Sequence, residues 1–156
     1  QRVTPLEAMQ RLLKGEPLPA DFPMKLPPPI AVTIGFEPVA IDTASATFRL
    51  NARVDRHANP MGTVHGGVFC DLADAAMGMA CASLLAQGES FTTLELKINY
   101  LRPALGSVVI ARANVVHAGK TQAVCRCELY FINQVGEQIL CAVAQGTIAS
   151  LSRPAS

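Results

Sequence analysis

Two aspartates lie three residues apart in an otherwise apolar stretch. Asp71 and Asp74 fall between residues 68 and 87, where most other side chains are apolar or small. Residues three apart share one face of a helix, so both carboxylates face the same space. An unpaired carboxylate among apolar side chains is costly, so the charge at Asp74 indicates a use as nucleophile or general base. Asp71 is the second candidate, although the helix dipole also favours an acid in a first turn.

A histidine and two glycines precede these acids. His65, Gly66 and Gly67 stand where the helix is predicted to begin, and the first N–H groups of a helix have no partner inside it. Glycine lets a ligand approach this backbone closely. Such donors stabilise the negative charge on an attacked carbonyl oxygen, and loss of one costs about 3 to 4 kcal/mol of barrier. The motif predicts an oxyanion site.

A long helix must position these groups. Val68 to Gln87 contains no proline and only Gly78 as an interior weak point, which predicts one helix roughly 30 Å long. Its polar face is small, so we expect it to be buried nearly all round. A membrane span is disfavoured because each aspartate would cost roughly 2.5 to 3.5 kcal/mol near its centre.

The N-terminal segment predicts a short helix and then an extended strap. Thr4-Pro5-Leu6-Glu7 is a capping box with proline at the first helical position, so a helix should run to about Lys14 and stop at Gly15. Six prolines between Glu16 and Pro29 exclude regular structure there. We name residues 16–29 the proline-rich strap. Residues 1–29 are assigned to this helix and strap, 30–151 to the main domain and 152–156 to a C-terminal tail.

The remaining segments predict an antiparallel sheet. Two strands are expected before the helix. Four long strands follow it and are joined by short connections. A long sheet curved round one buried helix is an α+β architecture. The predicted strands are Ile30 to Val39, Ala44 to Val54, a strand through Leu94 and Tyr100, Ser107 to His117, Gln122 to Ile132 and Gln138 to Leu151.

Composition limits the partners. Half of the 156 residues are hydrophobic and only 16% are charged, which indicates that some surface closes against a second subunit. Thirteen basic and twelve acidic side chains nearly cancel, so neither nucleic acid nor an anionic membrane is expected as a partner. Five cysteines, an odd number, and no signal-like N-terminus predict reduced thiols in a cytoplasmic protein.

The order of several motifs resembles one family. Asn59, the run Gly62-Thr63-Val64-His65-Gly66-Gly67, Asp74, the strand end Asn99-Tyr100-Leu101-Arg102-Pro103-Ala104 and the Gly119-Lys120-Thr121 hairpin resemble the hot-dog-fold acyl-CoA thioesterases of the phenylacetate-degradation (PaaI-like) type. The match covers about residues 30 to 150. It implies a hot-dog fold and hydrolysis of an aryl- or medium-chain acyl-CoA, with no metal and no cofactor beyond the coenzyme A of the substrate.

The resemblance also implies roles for single residues. Asp74 takes the place of the nucleophile or general base, and Gly66 supplies the N–H to the thioester carbonyl. Asn59 positions the thioester or the water, and His65 orders the turn and contacts the acyl site. The site is implied to form in a homodimer, with a tetramer usual in the family. Further substrate contacts are expected at Gly67, Met77, Gly78, Thr92 or Thr93, with Arg102, Lys120 and Arg56 as candidates for the coenzyme A phosphates.

Two other functions fit part of the pattern. A hot-dog enoyl-CoA hydratase or dehydratase is suggested by the run from Asn59 to His65, but its acid–base pair within one loop is missing. A protein that binds acyl-CoA as a sensor without cleaving it is the alternative outside the enzymes. Such a regulator usually carries a DNA-binding domain, for which the short N-terminal segment is too small.

Overall fold

The structure is a computed structural model, and it describes residues 3–105 and 108–152. Within these residues the chain forms four helices and six strands. In chain order they are α1 (Pro5–Leu13), α2 (Pro29–Ile34), β1 (Phe36–Asp42), β2 (Ser45–Asn51), α3 (Val54–His57), α4 (Gly66–Ala82), β3 (Ser90–Tyr100), β4 (Val108–Ala118), β5 (Gln122–Ile132) and β6 (Gln138–Leu151).

All six strands join one antiparallel sheet in the order β1-β2-β4-β5-β6-β3. The long helix α4 packs against this sheet and contacts every strand in it. Between them lies the core, whose fully buried side chains include Leu50, Leu72, Met77, Leu129 and Ile148. The predicted α+β hot-dog fold, with a long antiparallel sheet round one central helix, is confirmed.

α4 begins two residues earlier and ends five residues earlier than predicted. His65 is its N-cap, and the imidazole Nδ1 accepts a hydrogen bond from the Gly67 N–H at 2.9 Å. At the other end the Ser83 hydroxyl donates to the Ala80 carbonyl at 2.6 Å and accepts from the Ala44 N–H at 2.7 Å. A serine that bonds to nearby backbone competes with helix continuation, so the chain leaves the helix here.

The prediction of a strand from Ile30 to Val39 is wrong at its start. Pro29 occupies the first position of α2, where proline is favoured, and Gly35 ends that helix with a φ of 96°. β1 therefore begins only at Phe36. The short apolar run 30–34 has no alternation that separates a strand from a single helical turn.

The second predicted strand is too long. β2 spans Ser45–Asn51, and Val54 opens α3 with its side chain 74% exposed instead of facing the core. The alternation of Ala46, Phe48 and Leu50 toward the core is confirmed.

The remaining boundaries follow the sequence closely. The capping box of α1 is present, with Thr4 and Glu7 each bonding to the other's backbone N–H, and Lys14 caps the end. The four late strands lie where they were predicted. The predicted start of the fourth strand at Ser107, the turn residue Gly106 and most of the tail 152–156 lie outside the described residues. None of the helices in the described ranges is long and apolar enough to cross a membrane.

Candidate active site

Asp74 lies on the one stripe of α4 that the sheet leaves open. Its carboxylate Oδ1 accepts a hydrogen bond from the Thr93 hydroxyl at 2.7 Å. The sequence predicted a buried acid, but in the single chain Asp74 is exposed, as is Gly67, and Asp71 is only half-buried. The expectation that α4 is buried nearly all round is therefore wrong along this stripe. Leu72, Ala73 and Ala76 are buried in the core, while Asp74 points away from it.

Alternation along β3 decides between the two threonines predicted near the acid. Thr93 faces α4 and reaches Asp74, whereas Thr92 is exposed on the other face of the strand. Thr92 makes no contact with the acid, so of the two predicted positions Thr93 is the one in the site.

Asp71 lies one turn before Asp74 and lines the same cleft. Partial burial raises the pKa of its carboxyl above the usual 3.8, and the negative charge of Asp74 raises it further. No described residue forms a hydrogen bond with this carboxyl. The hydroxyl of Thr93 thus orients one of the two candidate acids, Asp74, and leaves the other without an orienting partner.

Tyr100 holds the start of α4 in place. Its hydroxyl donates to the Gly66 carbonyl at 2.7 Å and lies 3.5 Å from the Cys70 sulfur. Desolvation and the contact with Cys70 raise the pKa of Tyr100 to about 12, so the hydroxyl stays protonated and remains a donor at neutral pH. A Cβ at Gly66 would lie only 2.9 Å from the tyrosine oxygen, so a larger residue here would displace the Tyr100 ring or the peptide. The Gly66 N–H has no acceptor among the described residues, which makes it available to a ligand.

Two predicted site groups are already engaged in local structure. The Gly67 N–H bonds to the His65 imidazole, so it is not free for a substrate carbonyl. Asn59 accepts from the N–H groups of Met61 and Thr63 at 3.0 and 3.1 Å, and its amide donates to the Thr63 hydroxyl at 2.7 Å. In the single chain the Asn59 side chain therefore shapes the loop before α4, and it does not line the cleft beside Asp74.

The oxyanion donor and the acid do not converge within one chain. Gly66 and Asp74 lie on α4 eight residues apart, which corresponds to about 12 Å along the helix axis. A thioester carbonyl bound to the first cannot be reached by the carboxylate of the second. A site that uses both groups needs a second copy of the chain.

A cleft of about 600 Å³ opens beside Asp74. We call it the α1–α4 cleft. Its α4 side carries the stripe Asp71, Asp74, Ala75 and Gly78, which follows helical spacing. The other lining residues are Met9, Leu12, Leu13, Leu26, Pro27, Pro28, Ile30, Ala31, Val32, Gly35, Phe36, Glu37, Pro38, Ile41, Phe48, Met79, Phe91 and Thr93.

The predicted acyl contacts at Gly78 and Met77 have different outcomes. Gly78 lines the cleft and lets the Phe91 ring pack on α4, since a Cβ there would lie 2.8 Å from the ring. Met77 does not line it, because its side chain is fully buried and packs beside Gly146 of β6. Met79 lines the cleft instead, and the acyl contact expected for Met77 stays a prediction.

The basic residues predicted for coenzyme A lie apart. The Arg102 N–H bonds to the Cys141 carbonyl near the start of β6, while the β4–β5 hairpin that carries Lys120 bonds to Ser150 near its end. Nine residues of strand separate these points by about 30 Å. Arg56 donates to the Thr33 carbonyl at 2.7 Å, which ties α3 to α2. Arg102 and Lys120 of one chain therefore do not hold the same phosphate.

Two residues of the site were missed from the sequence. Phe91 shares the α4-facing side of β3 with Thr93, and its two-residue spacing from that threonine was the available signal. Tyr100 ends the same strand, and nothing local to it indicates that its hydroxyl reaches Gly66. In the described part of the chain no three His, Cys, Asp or Glu side chains group as metal ligands would.

Comparison with known proteins agrees with this geometry. Residues 61–135 match the family model described as the thioesterase superfamily. The chain is 32% identical over 117 residues to the 1,4-dihydroxy-2-naphthoyl-CoA hydrolase of Listeria monocytogenes serotype 1/2a, covering 75% of this chain and 91% of that protein.

Solved structures share the fold. A phenylacetic acid degradation-related protein of Ralstonia eutropha JMP134 superposes with a TM-score of 0.71 at 30% identity, over 91% of this chain and 98% of that one. The PaaI protein of Escherichia coli, from the phenylacetic acid degradation operon, gives a TM-score of 0.69 at 26% identity, over 81% and 86%. Sequence and fold agree: the chain belongs to the thioesterase superfamily.

Proposed function

We propose that this protein hydrolyses acyl-CoA thioesters to a free acid and coenzyme A. One observation carries the proposal: Asp74, oriented by the Thr93 hydroxyl, lines a largely apolar cleft. A carboxylate in that position meets the carbonyl of a thioester whose acyl group occupies the cleft. The name of the Listeria relative, which specifies a CoA thioester as its substrate, supports the same class of reaction.

The reaction needs only water as co-reactant. The Gly66 N–H of one subunit donates to the thioester carbonyl oxygen, where negative charge develops. Asp74 of the other subunit either accepts a proton from the attacking water or attacks the carbonyl carbon itself. In both routes a C–O bond forms, the C–S bond breaks, the thiolate of coenzyme A leaves and takes up a proton, and the product is a carboxylic acid.

The two routes differ in the source of one oxygen atom. Attack by Asp74 gives a mixed anhydride, whose hydrolysis at the aspartyl carbonyl transfers an aspartate oxygen to the product. A single turnover in H₂¹⁸O, followed by mass spectrometry of the acid, separates them. Unlabelled product in the first turnover identifies Asp74 as the nucleophile, and labelled product supports general-base catalysis.

A homodimer would complete this site. β3 is an edge strand of eleven residues, and within the described chain only β6 pairs with it. Long open edges are rare in native proteins because they invite pairing with another chain. Leu94, Tyr100 and Leu101 are each about half exposed along it. A second copy added at β3 brings a second α4 near the first, and the tetramer implied by the resemblance would join two such dimers.

The first test compares the protein with its Asp74→Asn variant on a panel of aryl- and fatty-acyl-CoA thioesters. Free thiol release should fall by at least about a hundredfold, because the amide can neither attack nor accept the proton. Asp42→Asn, a substitution of an exposed aspartate outside the cleft lining, is the matched control and should retain full activity. Circular dichroism confirms that each variant is folded.

The outcome separates the candidate functions. Turnover that survives in a folded Asp74→Asn protein would assign the chemistry to another group, with Asp71 the first to examine. A wild-type protein that binds acyl-CoA but releases no thiol would be a sensor and not a hydrolase. Addition of water to an enoyl-CoA, without thiol release, would identify the hydratase.

A further inference from the structure

The N-terminal segment supplies many of the residues that line the α1–α4 cleft. Apolar side chains from α1, from the proline-rich strap and from α2 line the same cleft as the acidic stripe of α4. All of them precede residues 61–135, the part that matches the family model. They are Met9, Leu12, Leu13, Leu26, Pro27, Pro28, Ile30, Ala31 and Val32.

Several of these side chains remain partly open to solvent. Leu13 is 37% exposed, Ile30 50% and Val32 69%, and all three line the same cleft. Contiguous apolar surface of this kind marks a binding site in a folded protein. A volume of about 600 Å³ lies within the range of small-molecule sites.

The charges in the cleft restrict what can bind there. Its polar lining includes the carboxylates of Asp71, Asp74 and Glu37 and the hydroxyl of Thr93, and no described lining residue is lysine, arginine or histidine. A negative charge on the bound acyl group would be repelled by these carboxylates and would have no counter-ion among the described lining residues. An uncharged hydrocarbon meets no such penalty.

The cleft is continuous with the proposed reaction centre, because Asp74 and Thr93 belong to its lining. We propose that the N-terminal segment, residues 5–34, walls an acyl-binding cleft and so selects thioesters of neutral hydrocarbon acyl groups. This inference rests on the proposed thioesterase function for its substrate. The acyl group lies against α4, with its carbonyl at Asp74 and its far end between α1 and α2.

The test uses a substitution that narrows the cleft at a partly exposed lining residue. Leu13→Trp adds bulk at a partly exposed position of α1, where the fold tolerates it. Thiol release is measured with saturated acyl-CoA from acetyl to dodecanoyl, and with the pair hexanoyl-CoA and adipoyl-CoA. For the wild type we expect kcat/KM to rise about fourfold per CH₂ until the cleft is full. Adipoyl-CoA, with its terminal carboxylate, should be the poorer of the pair.

Leu13→Trp should lower the ratio of kcat/KM for octanoyl-CoA to kcat/KM for acetyl-CoA by at least about tenfold. Val32→Trp, which adds the same bulk from α2, repeats the test if the first variant does not fold. Val135→Trp is the control, since that side chain is 77% exposed in the β5–β6 turn, outside the cleft.

Binding of S-alkyl-CoA thioethers, measured by calorimetry, separates this inference from the hydrolysis itself. An affinity for thioethers that rises with each CH₂ in the wild type, but not in Leu13→Trp, supports acyl binding in the cleft. This holds even if no thioester is cleaved. If both Leu13→Trp and Val32→Trp leave the hydrolysis rate unchanged at every chain length, the acyl-binding role of the cleft is overturned, and the proposed thioesterase activity stands. A folded Leu13→Trp protein that instead dissociates into monomers would show that the second copy fills the cleft, which also overturns it.

Discussion

At the scale of residues, the two acids of α4 differ in their surroundings although they share one face. Thr93 donates to Asp74, while partial burial and the charge of Asp74 raise the pKa of Asp71. A carboxyl whose folded pKa is raised holds its proton more tightly in the folded state. Its contribution to stability is therefore fully present below the unfolded pKa near 3.8 and is lost as the pH rises through the folded value.

Asp71→Asn should therefore stabilise the protein at neutral pH. The gain should be at most about 0.5 kcal/mol, because the carboxyl is still largely in contact with water. This gain in stability should disappear at a pH below about 3.8, where the Asp71 carboxyl of the wild type is protonated and is uncharged like the amide of the variant. Urea unfolding of both proteins across this range measures the difference. A gain that persists unchanged at low pH would assign it to a cause other than this ionisation.

The contact between Tyr100 and Gly66 gives a second prediction. Gly66→Ala places a Cβ against the tyrosine hydroxyl and should reduce kcat by about ten- to a hundredfold, because the N–H donor is displaced. Tyr100→Phe removes the hydrogen bond that positions the same peptide and should cost several-fold in kcat.

The double variant tests the coupling of these two residues. Removal of the hydroxyl relieves part of the clash, so the combined loss should be smaller than the product of the single losses. If the loss of kcat in the double variant equals the product of the two single losses, Tyr100 does not act through Gly66.

At the scale of elements, α4 is tied to the sheet at both ends. Tyr100 of β3 holds its first residue, and Ser83 joins its last turn to the β1–β2 hairpin through the Ala44 N–H. Ala44 has a φ of 63°, so this hairpin turn passes through the left-handed region without glycine. The hydrogen bond from its N–H to Ser83 helps to hold it there.

Ser83→Ala should destabilise the fold by about 1 to 2 kcal/mol, because it leaves the Ala44 N–H without its acceptor. Chemical denaturation measures the change, with Ser152→Ala as an exposed control that should be neutral. Equal stabilities of the two variants would mean that water replaces the serine at this turn.

In the molecule as a whole, Gly66 and Asp74 lie about 12 Å apart along α4, so the proposed active site draws these two groups from two chains. If each site takes its donor from one subunit and its acid from the other, two inactive variants should complement each other. Gly66→Ala and Asp74→Asn, mixed in equal amounts after dissociation and reassociation, form about half heterodimers, each with one intact site.

The mixture should recover about a quarter of wild-type activity, since one site in two is intact in half of the dimers. Thiol release after reassociation measures it, and each variant refolded alone provides the baseline. A mixture no more active than its parents would place the whole site within one chain.

Local patterns in the sequence predict most of the elements and the family. The capping box of Thr4 and Glu7, the alternation of the late strands and the apolar run after Gly67 are local patterns, and local patterns specify local structure. The thioesterase prediction is confirmed for the same reason, since it used motifs whose order is visible in the chain. The cytoplasmic location and the absence of a cofactor stay predictions.

Which of these residues meet depends on contacts between elements that are distant in sequence. The contacts of Thr93 with Asp74 and of Tyr100 with Gly66 join positions 19 and 34 residues apart. Packing between distant elements also sets the exposure of Asp74, the burial of Met77 in the core and the placement of the N-terminal segment beside α4. Periodicity says which side chains share a face of an element. Which face the sheet covers, and which it leaves open to a substrate, follows from packing between elements distant in sequence.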